Sequence, residues 1–69
     1  MFDEKRFKAQ VVLQGMTIKQ VAEELNIDSA TLYRKMSGKS DFFRWEIQKL
    51  CEILDIKDPA SIFFAEELT

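Results

Sequence analysis

The sequence contains no histidine and only one cysteine among its 69 residues, and each shortage excludes a class of site. Without histidine the chain lacks the commonest general base and a main ligand of zinc. One cysteine, Cys51, cannot form a disulfide within the chain, so nothing supports an oxidising compartment. Its position beside Leu50 and Leu54 favours a small buried hydrophobic residue over a reactive thiol.

Glycine and proline are also scarce. Two glycines and one proline are too little turn chemistry for an all-β fold with many hairpins. No apolar run approaches the ~20 residues of a membrane span, and residues 1–4 are not the start of a signal peptide. With 46% hydrophobic and 32% charged residues, the composition is that of an ordinary globular protein. We expect one small domain over residues 1–69.

Motifs of known enzyme classes are missing as well. The chain has no nucleophile elbow, no P-loop, no dinucleotide-binding glycine pattern and no closely spaced cysteine pair. Its adjacent carboxylates, Glu23–Glu24 and Glu66–Glu67, diverge on a helix and do not converge on a substrate. We therefore expect a protein that is not an enzyme and that needs no metal or cofactor.

Helix-capping residues begin at the amino terminus. Asp3 is a suitable N-cap for a first helix over residues 3–14, and Gly15 is suited to end it. Thr17 and Gln20 have the spacing of a capping box, in which each side chain satisfies the other residue's backbone N–H. A second helix should therefore begin directly after Thr17.

The second helix should cover residues 18–25 and be followed closely by a third. Asn26 tolerates the left-handed backbone conformation that ends helices, and Asp28 is an N-cap for a helix over residues 29–36. Only about three residues connect the two helices, which forces them to cross steeply. This arrangement is a helix-turn-helix unit.

A fourth helix is expected over about residues 42–54, capped by Ser40 or Asp41. Its apolar positions recur with helical spacing, which predicts a buried stripe made of Phe43, Ile47, Leu50 and Leu54. Outside that stripe stand Phe42 and Trp45, and either of them, if exposed beside Arg44, would flank a binding surface.

A short fifth helix is expected from Pro59 to Glu66 or Glu67, with Asp58 as its N-cap and Pro59 in its first position. It contains Ile62, Phe63 and Phe64, more apolar bulk than so short a helix needs. Two interpretations stay open: Phe63 or Phe64 plugs the bottom of the core, or one of them is exposed and forms a dimer contact. The predicted fold class is all-α, a compact five-helix domain.

The third helix has an outward face without acidic residues. Ile27, Leu32 and Met36 should face inward, and no Asp or Glu lies between Ser29 and Ser40. The net charge of −2 and the pI near 5.0 argue against a nucleic-acid partner, yet the charge is unevenly distributed. Residues 29–44 carry a balance of +3, whereas residues 1–28 carry −1 and residues 45–69 carry −4.

The stretch Met16–Lys39, MTIKQVAEELNIDSATLYRKMSGK, resembles the lambda-repressor-like, Cro/repressor type of helix-turn-helix regulator. The matching positions are a small residue, a turn residue, an aliphatic residue and a closing glycine-basic pair: Ala22, Asn26, Leu32 and Gly38-Lys39. The fourth-helix stripe and the ending Ile62-Phe63-Phe64 are similar to those of small phage and prophage regulators.

This resemblance implies a sequence-specific DNA-binding transcriptional regulator in the cytoplasm of a bacterial or phage-infected cell. Its third helix would lie in the major groove of a double-stranded operator, with a homodimer covering two half-sites. The implied base-reading residues are Ser29, Ala30, Tyr33 and Arg34. The implied phosphate-binding residues are Thr17, Lys19, Ser37, Lys39 and Arg44. Repression by operator occupancy is the expected mode, and the alternative is a protein-interaction module such as an antirepressor, which the acidic pI favours.

Two positions depart from the family pattern. Ile18 stands where relatives often have a glutamine that touches a phosphate, so that contact would depend on backbone amides near Thr17–Lys19. Val11 and Met36 stand where many relatives have a partly buried arginine–glutamate pair. Replacing both charges together avoids an unpaired buried charge, so we expect Val11 and Met36 to lie close together in the core.

Overall fold

The structure, a computed structural model, describes residues 1–65 and confirms the all-α prediction. These residues form five helices and no strand. The helices are α1 (Glu4–Leu13), α2 (Ile18–Glu24), α3 (Ser29–Met36), α4 (Arg44–Ile53) and α5 (Ala60–Phe63).

The first three helices begin where their capping residues predicted. The Asp3 side chain accepts a hydrogen bond from the Arg6 backbone N–H at 3.1 Å. The capping box of α2 is complete, with bonds of 3.1 Å to the Thr17 hydroxyl and 2.9 Å to the Gln20 side chain. Asp28 caps α3 by accepting the Thr31 N–H at 2.7 Å. Each cap satisfies a donor that a helix start leaves unpaired.

The first four helices all end in the same backbone motif. The second residue after each helix has a positive φ, and the next N–H donates to a carbonyl five residues back, which is the Schellman arrangement. The four left-handed residues are Gly15, Asn26, Gly38 and Asp55. Asn26 and Gly15 therefore act as predicted, whereas the role of Asp55 was not foreseen.

The core lies between all five helices and has a group of phenylalanines at one side. Its fully buried members include Phe7, Leu32 and Leu50. The rings of Phe2, Phe7, Phe42 and Phe63 have centroids 5.0–6.4 Å apart in five pairs, and the Phe42–Phe63 pair is edge-on. Phe2 was not singled out in the sequence, since it precedes the first helix and belongs to no helical stripe.

Two long-range connections hold α1 in place. The Asp3 N–H donates to the Ile62 carbonyl at 2.7 Å, which ties the start of the chain to α5. The Gln10 side-chain amide donates to the Leu54 carbonyl at 2.6 Å, which ties α1 to the end of α4. Val11 and Met36 are both buried in the one hydrophobic cluster, and their direct contact stays a prediction.

The predicted start of the fourth helix was wrong. Neither Ser40 nor Asp41 caps α4; Phe43 occupies the N-cap position, and Glu46 accepts its backbone N–H at 2.7 Å. Phe43 is 60% exposed and lies outside the buried stripe, while Phe42 enters the phenylalanine group instead. The reason is that α4 begins at Arg44. Phe43 precedes the first helical residue, so it does not continue the helical stripe of Ile47, Leu50 and Leu54.

The predicted fifth helix was too long and began one residue too early. Pro59 occupies the N-cap position, no side chain caps the helix, and α5 ends at Phe63. Phe63 is buried in the core, as the first interpretation expects, and Phe64 is 45% exposed, so the dimer contact of the second interpretation stays a prediction for Phe64. Ile62 is buried too, so only Phe64 of the three remains available to a partner. Glu66 and Glu67 lie outside the described residues.

Candidate nucleic-acid interface

The helix-turn-helix predicted from α2 and α3 is present. Ala22 is 1% exposed and has no side chain beyond Cβ, which lets the two helices approach closely. The left-handed Asn26 turns the chain, and the half-buried Ile27 packs against the core. This turn leaves one side of α3 facing the solvent.

That outward side carries most of the predicted base-reading residues. Ala30, Tyr33 and Arg34 are exposed, whereas Ser29 is half-buried at the start of α3. The Arg34 guanidinium donates to the Thr31 hydroxyl at 3.2 Å, which uses one of its five N–H donors. The others remain free for a ligand, because Arg34 has no carboxylate partner among the salt bridges of the described chain.

The five predicted phosphate-binding residues are all exposed: Thr17, Lys19, Ser37, Lys39 and Arg44. Two of them have internal partners. Thr17 accepts the Gln20 N–H and keeps its own hydroxyl proton, while the Ser37 hydroxyl donates to the Arg34 carbonyl at 3.0 Å. The departure at Ile18 suggested that backbone amides near Thr17 bind a phosphate. The Thr17 amide instead donates to the Gln20 side chain, so it is not free to do so.

One negative charge stands at the amino-terminal end of α3. The Thr31 hydrogen bonds, from side chain and backbone, lower the pKa of Asp28, and the nearby Arg34 lowers it further. Asp28 therefore remains ionised at neutral pH. Its carboxylate offsets part of the positive helix end where the outward face begins.

Lys35 was counted in the sequence as part of the positive surface, and that interpretation was wrong. Its side chain is 6% exposed and lies 3.0 Å from Glu46, which is 1% exposed. The Lys35 ammonium also donates to the Asp41 carbonyl at 3.0 Å and lies 4.2 Å from the centre of the Phe43 ring. These contacts satisfy the charge inside the protein, where no phosphate can reach it.

The exposed charge around α3 is therefore smaller than the sequence balance indicated. Arg34, Lys39 and Arg44 remain at the surface, opposed by the exposed Asp41. This reduces the balance of residues 29–44 from +3 to +2 at the surface. The positive region is concentrated at the carboxyl end of α3 and in the loop that follows.

A sequence signal for the buried pair existed. Leu32, Lys35 and Met36 have the spacing of one helix face, so Lys35 belonged to the inward side with its two apolar neighbours. Glu46 stands three residues after the N-cap of α4, where glutamate often bonds back to the N-cap N–H. Only the second signal depended on placing the start of α4 correctly.

Three further features of residues 1–65 concern metal ions, membranes and thiol chemistry. This part of the chain has no group of three or more His, Cys, Asp or Glu side chains arranged to hold a metal ion. None of its helices is long and apolar enough to cross a membrane. Cys51 is half-buried against the core, and burial raises the pKa of its thiol, which keeps it protonated.

Comparison with known proteins agrees with this geometry. No curated protein and no solved structure matches the chain significantly. Residues 10–64 match the family described as the Cro/C1-type HTH DNA-binding domain. The match includes α2, α3 and the exposed residues between them. On this match, and with a helix-turn-helix and an outward cationic face in place, the chain belongs to the Cro/C1-type helix-turn-helix family of DNA-binding domains.

Proposed function

We propose that this chain is a transcriptional regulator that binds operator DNA sequence-specifically and represses by occupying the operator. The observation that supports this most is the outward face of α3, where Ala30, Tyr33 and Arg34 are exposed and no acidic residue lies between residues 29 and 40. Such a face suits the major groove, because its base edges offer acceptors and methyl groups while the flanking phosphates repel carboxylates.

Each residue of this face has a role that follows from its chemistry. Arg34 makes a bidentate contact to guanine, and the Ala30 methyl packs against a thymine methyl. Ser29 discriminates weakly, since a hydroxyl both donates and accepts. Tyr33 packs on the sugar-phosphate backbone or bonds through its hydroxyl.

Phosphate contacts set the orientation of the domain on the duplex without reading sequence. We assign them to Lys19 and Thr17 at the start of α2 and to Ser37, Lys39 and Arg44 around the α3–α4 loop. Ser37 must release the Arg34 carbonyl or share its hydroxyl in order to take part. The modest surface charge implies modest affinity for a single domain.

Binding of two copies to one operator would raise the overall affinity above that of a single domain. The longest extent of the domain is 32 Å, close to the roughly 34 Å between successive major grooves on one DNA face. A two-fold homodimer on adjacent half-sites therefore fits the size of the chain. Of the apolar residues near the carboxyl end, the exposed Phe64 is the one suited to a dimer contact.

The test is selection of binding sequences from a pool of random duplexes, followed by affinity measurements at two salt concentrations. Arg34→Ala should lose about 1–3 kcal/mol of discrimination at one base pair and keep its non-specific binding largely intact. Lys57→Ala, which removes an exposed charge far along the chain, is the matched control. If the unaltered protein selects no sequence and its affinity does not fall with salt, the proposal is wrong.

A second candidate function is a protein-interaction module such as an antirepressor. It is favoured by Val12 and Leu13, which are 75% and 73% exposed at the end of α1, and by the acidic net charge. In that case Arg34→Ala would have no effect on activity, whereas replacing Val12 and Leu13 with serine would abolish partner binding. The two functions thus separate by which surface tolerates substitution.

A further inference from the structure

The buried pair Lys35–Glu46 directs its hydrogen bonds to the short segment between α3 and α4. Lys35 donates to the Asp41 carbonyl at 3.0 Å, and Glu46 accepts the Phe43 N–H at 2.7 Å. The two side chains also contact each other at 3.0 Å. Together they hold the backbone on both sides of Phe42.

The aromatic residues of this segment reinforce the same conformation. The Phe43 ring covers the Lys35 ammonium at 4.2 Å, although Phe43 as a residue is 60% exposed. Phe42 points the other way and packs with Phe2 and Phe63 at centroid distances of 5.0 and 5.3 Å. The Phe42 ring and the Lys35–Glu46 pair therefore both hold residues 41–43 against the interior of the domain.

Exposed cations stand on either side of this anchored segment. Lys39 follows the end of α3, and its backbone N–H donates to the Arg34 carbonyl at 3.0 Å. Arg44 is the first residue of α4, directly after Phe43. The bond from the Lys39 N–H fixes Lys39 to α3, whereas the position of Arg44 relative to α3 depends on the backbone that the buried pair holds.

An ion pair this deeply buried gains little stability over apolar residues of similar volume, because both charges lose their hydration. We propose that Lys35 and Glu46 are positioning residues for DNA binding, which fix Arg44 relative to α3 so that Arg44 reaches a phosphate, as Lys39 does, while α3 lies in the groove. This inference rests on the proposed function and extends it to two side chains that touch no DNA.

The experiment compares the full chain with the double variant Lys35→Met, Glu46→Leu, which replaces the pair by apolar residues. A short duplex of fixed mixed sequence is the probe, since phosphate contacts do not depend on sequence. Affinity is measured between about 50 and 200 mM salt, and stability is measured by urea unfolding. Glu4→Leu, Lys8→Met is the matched control, because it removes an exposed ion pair of the same charges.

If the pair positions Arg44, the double variant should still fold, with a lowered urea midpoint because the Asp41 carbonyl and the Phe43 N–H lose their partners. It should bind more weakly than this loss of stability explains, by up to about tenfold while fully folded. The slope of log affinity against log salt should become shallower by up to about 0.9, the contribution of one phosphate contact. A purely structural role would leave both binding quantities unchanged once the variant is folded, and that result would overturn the inference.

A second variant keeps the question open to test if the double variant does not fold. Phe43→Ala removes the ring that covers the ammonium and lets water reach the pair, which weakens its hold on residues 41–43 without deleting either charge. The variant should therefore fold and bind about two- to threefold more weakly, with a shallower slope. Unchanged affinity and slope in Phe43→Ala would contradict the inference. If the unaltered protein itself shows no salt-dependent duplex binding, the proposed function fails, and the inference fails with it.

Discussion

The ends of α2 and α3 share one backbone motif but differ in the residue that follows it. After α2, Ile27 donates to the Ala22 carbonyl and packs against the core. After α3, Lys39 makes the equivalent bond to the Arg34 carbonyl and is exposed. The motif usually includes an apolar contact between these two positions, and in α3 both positions are cations.

The difference shows that the same helix-ending motif can either close against the core or present cations to the solvent. Apolar closure at the end of α2 stabilises the turn of the helix-turn-helix unit. The end of α3 lacks that closure and presents Arg34 and Lys39 to the solvent. On the inward side of the same turn, this end is attached to the domain by the Lys35–Glu46 pair and by the buried Met36.

The largest expected effect is the loss of stability when the Lys35–Glu46 pair is broken. Glu46→Ala leaves the Lys35 charge buried without its partner, so the free energy of unfolding should fall by about 3–5 kcal/mol. Urea unfolding measures it, with Glu52→Ala, an exposed residue of the same helix, expected to stay within about 0.5 kcal/mol. A loss in Glu46→Ala no larger than in the control would show that the pair does not hold α3.

Exchanging Ile27 and Lys39, the residues that follow the two motifs, should affect stability at the first site and DNA binding at the second. Ile27→Lys puts a charge at a half-buried apolar position and should cost about 1–2 kcal/mol of stability. Lys39→Ile should change stability by no more than about 0.5 kcal/mol and make the salt dependence of DNA binding shallower by about 0.9. Equal stability effects at the two sites would mean that the two helix ends are equivalent.

A smaller effect is expected at the left-handed residue that ends α3. Gly38 has a φ of 87°, and a Cβ added there would meet no atom within 4 Å. Gly38→Ala should therefore cost only the backbone strain, about 1 kcal/mol, and Gly38→Asn should cost less because asparagine tolerates this conformation. Thermal unfolding of both variants checks the order, and an equal loss in the two would argue against strain as the cause.

The smallest expected effect is the pH dependence at the start of α3. The pKa of Asp28 is lower in the folded protein than in the unfolded chain, so the unfolded chain takes up the proton first as pH falls. The stabilisation is complete above the ordinary aspartate pKa of about 3.9 and is lost below it. Asp28→Asn keeps a cap without the charge, so its stability difference from the unaltered protein should narrow between pH 6 and 3 in urea titrations. A constant difference would contradict this assignment.

The local features of the domain were predictable because they depend on residues that are close in sequence. The caps at Asp3, Thr17 and Asp28 join atoms three residues apart, and the left-handed turns at Asn26 and Gly15 follow from residue type. The outward residues of α3 were predicted for the same reason, as helical spacing separates them from the buried Leu32 and Met36. Their contact with DNA bases remains a prediction.

The features that the sequence did not reveal depend on distant contacts. Lys35 and Glu46 are eleven residues apart, and their pairing depends on where α4 begins. The hydrogen bond from the Phe43 backbone N–H to Glu46 makes Phe43 the N-cap of α4. With that start, Phe42 packs inward and Phe43 is exposed. Periodicity alone could not choose between two adjacent phenylalanines, because either gives an acceptable helical stripe.

The sequence by itself determined five helices, the caps of the first three and a helix-turn-helix with an outward face free of acid, since backbone capping and helical spacing are local properties. Tertiary structure decided which charges are available at the surface. Burial of Lys35 against Glu46 removes one cation from the face, and the segment that this pair anchors leads directly to the exposed Arg44. The physical reason is desolvation: a charge enters the interior only where a distant partner and backbone groups replace its water.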